Sequence, residues 1–127
     1  MHKYCNSITL PFSSIQLYNV VIDVEAYPEF LPWCLAAKII KKIDNNNFDA
    51  QLKVGYKAID EKYISRIKAK YGKIINSKAI SGPFKILDST WTFKDTGDKK
   101  CNVEFMIQYE FKSFFLDKVM GLSLIHI

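Results

Sequence analysis

The chain has 127 residues, 49% of them apolar and 24% charged, with a net charge of +5. That length suits one domain with a real core and not two, and the balance is that of a folded protein, not a disordered or fibrous one. The charge favours anionic partners such as phospholipid headgroups or RNA. Arg66 is the only arginine, which argues against sequence-specific DNA recognition, a task that leans on the planar guanidinium fork.

Residues 15–24 form an apolar stretch near the start, but Gln16, Asn19 and Asp23 interrupt it. It also falls well short of the roughly 20 residues that cross a bilayer. The first residues alternate like a strand and show none of the parts of a secretory signal, so the chain is expected in the cytoplasm. Cys5, Cys34 and Cys101 are odd in number and far apart. They match neither a disulfide framework nor a zinc spacing and are expected to be reduced packing residues.

Residues 3–10 mix Tyr, Ile and Thr and end at Pro11, which cannot donate to a ladder, so they read as a first strand. Ser13 followed by Gln16 forms a capping box, with Phe12 placed to close on Leu17 as a hydrophobic staple. The helix so opened carries Leu17, Tyr18, Val21, Ile22 and Val24 as its buried stripe. It is expected to stop near Ala26, because Tyr27 precedes Pro28 and is pushed out of the helical region.

From Cys34 onward the period becomes two. Residues 36–43 and 48–57 make an antiparallel hairpin around a turn at 44–47. In its second arm Phe48, Ala50, Leu52, Val54 and Tyr56 alternate with Asp49, Gln51, Lys53, Gly55 and Lys57, giving one buried and one wet face. A strand over 59–71 follows, Gly72 turns the chain into 73–80, and Gly82-Pro83 turns it again. Residues 84–94 then hold Leu87, Trp91 and Phe93 on one face. In the last strand, 101–112, Cys101, Val103, Phe105, Ile107, Tyr109 and Phe111 alternate without a break. At about 3.3 Å per residue that strand spans roughly 40 Å, and sheets of such strands twist and curl. Ser113 can cap a second helix that opens at Phe114 and contains Leu116 and Met120.

The order strand, helix, about six antiparallel strands, helix is an α+β architecture with helices segregated from a meander. A curled sheet with one apolar concave face must close on something, and the two helices are the available cover.

The segment Asp23-Val24-Glu25-Ala26-Tyr27-Pro28-Glu29-Phe30-Leu31-Pro32-Trp33-Cys34 resembles the hallmark of the coenzyme Q-binding and ribosome-association-toxin family, within the START-like (polyketide cyclase) superfamily. Gly82-Pro83-Phe84 with Trp91-Thr92-Phe93 resembles the family's central hairpin, and Tyr109-Glu110-Phe111-Lys112-Ser113 the end of its last strand. The resemblance implies a helix-grip fold: a curved antiparallel sheet of six or seven strands wrapped around a C-terminal helix, residues 1–127 forming a single lipid-binding domain. The tail Leu122-Ser123-Leu124-Ile125-His126-Ile127 departs from the family's long helix, so that helix is expected to be incomplete after about residue 121.

For function, the resemblance implies a non-catalytic carrier of a polyprenyl lipid such as ubiquinone, bound and not required as a cofactor. Its alternative is a toxin that binds the large ribosomal subunit and blocks subunit association. Contact with an anionic membrane, peripheral to the inner membrane, is a further expectation. Phe30, Leu31 and Trp33 would form a portal, or would simply plug the open end of the sheet. Leu52, Val54, Tyr56, Tyr63, Ile67, Trp91, Phe105, Ile107 and Tyr109 read as the concave face. Singly these are ordinary packing residues, but together, with Leu116 and Met120 from the closing helix, they suit an apolar cavity with a few polar tips. Lys53, Lys57, Lys62, Arg66, Lys68, Lys70 and Lys73 fall mostly on the wet side, either as a solvated surface or as a seat for lipid or RNA. No residues are assigned to catalysis or to metal. His2 and His126 sit at the termini, no nucleophile-base pairing is suggested, and Asp60 and Glu61 are weak acid-base candidates.

Overall fold

In a computed structural model that describes residues 1–56, 59–97 and 99–114, the alternating segments become seven strands. They are β1 (His2–Leu10), β2 (Cys34–Asp44), β3 (Asn47–Tyr56), β4 (Ile59–Lys70), β5 (Ile74–Ser81), β6 (Phe84–Gly97) and β7 (Lys100–Phe111). All pair antiparallel in one sheet ordered β1-β7-β6-β5-β4-β3-β2. Strands β2 to β7 form a meander, and β1 lies against the last strand. The expected closing helix, with Leu116 and Met120, lies outside the described residues beyond Phe114.

Between β1 and β2 the chain forms α1 (Ser14–Ile22) and a 3₁₀ helix (Val24–Glu29). The capping box is present: Ser13 N–H donates to Gln16 Oε1 at 2.9 Å, and Gln16 N–H donates to Ser13 Oγ at 3.2 Å. The helix nevertheless ends at Ile22, four residues before the expected stop at Ala26, and Tyr27 and Pro28 lie within the 3₁₀ helix. The reason is that two short turns replace a longer α-helix. Ala26 N–H bonds to Asp23 O and Phe30 N–H to Tyr27 O, each at 3.2 Å. Pro28 follows the first residue of the second turn, where its missing N–H is not needed and its fixed φ fits.

Helix α1 is held to the sheet at two points. At its start, the Ser14 N–H and hydroxyl both donate to the Asp95 carboxylate of β6, at 3.0 Å each. In its middle, Tyr18 is 1% exposed, its ring edge-on to Tyr71 and Phe93. The Tyr18 hydroxyl donates to Asn46 Oδ1 at 2.6 Å, tying α1 to the β2–β3 turn. In that turn Asp44 Oδ1 accepts from the Asn46 N–H at 2.8 Å, the local bond that makes Asp and Asn turn formers.

The ladder registers place β1 even, β3 even, β4 odd, β5 odd, β6 odd and β7 odd residues on one face. Two rows run across it. One is Tyr4, Ile107, Ser89, Ser77, Ile67, Phe48, and the next is Asn6, Phe105, Trp91, Ile75, Ala69. The buried core lies on this side, with Phe48, Ala50, Leu52, Val54, Ile67, Ile75, Phe93, Val103, Tyr109 and Phe111 among it. Strand β2 has three register shifts. Such bulges twist an edge strand and spoil it as a template for another chain.

Candidate functional site: the concave face

The floor of the curved sheet is built from unequal side chains. At its centre, on β4, β5 and β6, the inward positions are Ser65, Ser77, Ala79 and Ser89, with Ala50 beside Ser65 on β3. The Ser65 and Ser77 hydroxyls hydrogen-bond to each other. Large side chains stand at both ends. Toward α1 are Trp91 and Phe105, with ring centroids 4.4 Å apart, and Phe93 against Tyr18. Toward the β5–β6 hairpin are Tyr63, Phe84, Phe111 and Tyr109, each ring within 6.2 Å of the next, with His2 stacked on Tyr109 at 5.1 Å. Low side chains thus stand between tall ones along the floor, because inward volume is set by the side chains themselves at fixed strand spacing.

The hairpin end depends on one glycine. Gly82 has φ +112, and a Cβ there would lie 2.5 Å from the Tyr63 Cβ. Only glycine lets the turn approach Tyr63 so closely. The Lys112 N–H donates to Pro83 O at 2.8 Å, so the hairpin also fastens the end of β7.

Of the expected concave set, Leu52, Val54, Tyr63, Ile67 and Tyr109 are buried, while Trp91, Phe105 and Ile107 are half-buried on the same face. Tyr56 ends β3 opposite Ile59. Leu116 and Met120 lie outside the described residues. The portal segment divides. Leu31 and Trp33 pack against the core, whereas Phe30 is 55% exposed with its ring edge-on to Tyr27. Sequence reading passed over the central serines and Ala79, along with Tyr4, which the registers put on the same face. Their signal was present only as small inward residues in three consecutive strands. A separate cleft of about 410 Å³ lies between α1 and the β2–β3 hairpin, lined by Tyr18, Ile22, Ile39, Phe48 and Tyr71 among others.

Burial raises the pKa of several tyrosines and thiols near this face. Burial raises the Tyr63 phenol well above its ordinary value, with smaller contributions from Cys34 and Tyr27. Burial likewise raises Tyr27, whose hydroxyl donates to the Val21 carbonyl. The Cys34 and Cys101 thiols are pushed up by burial too, which disfavours the reactive thiolate. Asp60 and Glu61 are exposed at the start of β4. Among the described residues no group of three or more His, Cys, Asp or Glu side chains could hold a metal ion.

On the outer face the registers set Lys53 opposite Lys62 and Arg66 opposite Lys78, with Lys68 and Lys70 further along β4. Arg66 also makes a two-bond pair with Asp49, at 3.1 and 3.2 Å. Lys73 lies in the turn after Gly72, and Lys57 is outside the described residues.

Residues 10–124 match the model of the polyketide cyclase / dehydrase and lipid transport family. The chain belongs to that family. It is 38% identical over 127 residues to the ribosome association toxin RatA of Rickettsia prowazekii, covering 95% of this chain and 84% of that protein. It is 41% identical over 108 residues to the mitochondrial coenzyme Q-binding protein COQ10 of Dictyostelium discoideum, covering 83% of this chain and 53% of that protein. The fold matches a START superfamily protein from Mycobacterium smegmatis with a TM-score of 0.81 at 19% identity, over 99% of this chain and 91% of that one. The sheet is therefore a START-like helix-grip sheet, as expected from the sequence. In this family member, no helix among the described residues is long and apolar enough to cross a membrane.

Proposed function

We propose that this protein is a non-catalytic carrier of a hydrophobic polyprenyl lipid of the ubiquinone type, held along the concave face. The observation that carries the reading is the floor of that face: Ser65, Ser77, Ala79 and Ser89 lie low between aromatic groups at either end. An extended apolar chain fits such a depression. At about 0.8 kcal/mol per buried CH₂, one five-carbon isoprene unit contributes roughly 3–4 kcal/mol, so two or three units support micromolar binding after association costs. The raised thiols and the exposed position of Asp60 and Glu61 favour binding over chemistry. The name of the coenzyme Q-binding relative supports the ligand class. The test is mass spectrometry of lipids extracted from the purified protein. A quinone is expected, and a preparation free of any polyprenyl lipid would count against the proposal.

The basic outer face favours a second reading, action on the ribosome as in the toxin relatives. Like charges directly opposite in a ladder are destabilising, and both Lys53–Lys62 and Arg66–Lys78 are such pairs. A polyanion would relieve the repulsion. Sucrose gradients should then show free subunits accumulating when the protein is added to ribosomes, and unchanged profiles would eliminate this reading.

A further inference from the structure

Several polar groups inside the molecule have identified partners. Tyr18 donates to Asn46, Tyr27 to the Val21 carbonyl, and Asn76 Nδ2 to Asp88, Ser89 O and Thr90. Trp33 is different. Its Nε1 is closed off from solvent and has no acceptor among the described residues. A buried N–H left unpaired is rare and costly, because the bond it made to water in the unfolded chain is not replaced.

The place of this donor in the fold matters. Trp33 stands where the 3₁₀ helix gives way to β2, and its carbonyl accepts from the Gly55 N–H at 3.0 Å, which fixes it beside the end of β3. Its ring packs against the core. Cys34 follows it and pairs with Val54, and one pair along β3 Leu52 faces Tyr63. The phenol of Tyr63 is the other polar tip at this end, and it hydrogen-bonds to none of the described residues. The backbone has thus brought an enclosed indole N–H that lacks an acceptor and a phenol to the same end of the sheet.

We propose that Trp33 Nε1 is the head-group donor of this site, hydrogen-bonding a carbonyl oxygen on the ring of a bound apolar ligand, with the Tyr63 hydroxyl as the second polar contact. This rests on the carrier reading above. The indole N–H can only donate, so its partner must be an acceptor, and a cationic or donor-only head is excluded. The prenyl tail then runs from this end along the serine floor. Affinity comes from the tail, while Trp33 sets which heads are accepted, since a site with an unpaired buried donor discriminates against ligands that cannot accept.

The test uses the full chain and two probes of equal tail, a decyl-substituted 1,4-benzoquinone and decylbenzene. The quinone should bind more tightly. On ¹⁵N-labelled protein, the Trp33 indole peak, told apart from that of Trp91 by a Trp91→Phe variant, should move downfield with the quinone and not with decylbenzene. Trp33→Phe should weaken the quinone by roughly 2- to 12-fold relative to decylbenzene, the loss of one hydrogen bond to a neutral acceptor. Equal weakening of both probes would show that the ring only packs, and an unmoved indole peak at saturating quinone would overturn the proposal on the wild-type protein even if Trp33→Phe did not fold. Failure of the wild type to bind either probe would instead bring down the carrier reading.

Discussion

Replacing Ser89 with leucine separates an open depression from a filled core. Ser89 lies inward at the middle of β6, opposite Ser77 on one side and Ile107 on the other, and is half-buried. Leucine there reaches over the floor and occupies the space of roughly two to three methylenes of a bound tail. At about 0.8 kcal/mol each this removes roughly 1.6–2.4 kcal/mol of ligand affinity, or about 15- to 50-fold in Kd. On the carrier reading the fold itself should not suffer, because the added carbons enter the trough meant for the tail. A packed interior responds in the opposite way. Overpacking there costs about 1–3 kcal/mol, which lowers the urea midpoint by roughly 1 M at an m-value of about 1–3 kcal/mol/M. Paired measurements decide between these: a urea titration of the apo protein, and a titration with the decyl benzoquinone. An unchanged or raised midpoint with weakened binding is expected. A lowered midpoint would show that the serines sit in a close-packed core, and the trough would have to be abandoned.

Four further outcomes follow from the geometry. Gly82→Ala forces a Cβ to within 2.5 Å of the Tyr63 Cβ at a positive φ, and strain plus overpacking should cost roughly 2–5 kcal/mol in urea unfolding. Gly55→Ala meets only the half-exposed Leu35 side chain, which can turn aside, so a loss above about 1 kcal/mol there would contradict the reasoning. Asp95→Ala removes both bonds to Ser14 and should cost about 1–2 kcal/mol, seen as a lower thermal midpoint. The Arg66 side chain, by hydrogen bond and then by charge, holds the Asp49 carboxyl below its ordinary value. Its contribution is therefore complete above the unfolded carboxylate pKa of about 3.9 and is lost as the pH falls through the lowered folded value. Asp49→Asn should flatten the decline of the urea midpoint below about pH 4, and parallel acid limbs in the two proteins would refute the assignment.

Local chemistry was the legible part. The capping box at Ser13 and Gln16, the Asp44 turn, and the alternation from Phe48 to Tyr109 each depend on neighbours in sequence, and each appears in the structure within a few residues of its expected place. The early end of α1 was not legible, because a 3₁₀ pair and an α-helical turn differ by a fraction of a hydrogen bond, and the restriction on the residue before proline does not distinguish them when Pro28 opens a new turn. The resembling segment kept its place but changed its meaning. Phe30 faces outward, and Leu31 and Trp33 turn in.

What sequence could not show was the relief of the floor. A period of two states which side chains share a face, but whether a face is filled or hollow depends on which residues meet across strands far apart in the chain. Ser65 and Ser89 look unremarkable in their own strands, each flanked by larger inward neighbours, and Ser77 lies between Ile75 and Ala79. The registers bring Ser65 against Ala79, and Ser77 against both Ile67 and Ser89, and that non-local coincidence gathers small side chains where each strand alone suggests a core of large ones. The cluster of small inward side chains is thus a property of the ladder, and a one-residue slip of β5 against β4 would turn them to the outer face and disperse it. The positive φ and close approach at Gly82, next to the β4–β5 ladder, suit that register, so the resembling hairpin motif bears on the floor at a distance.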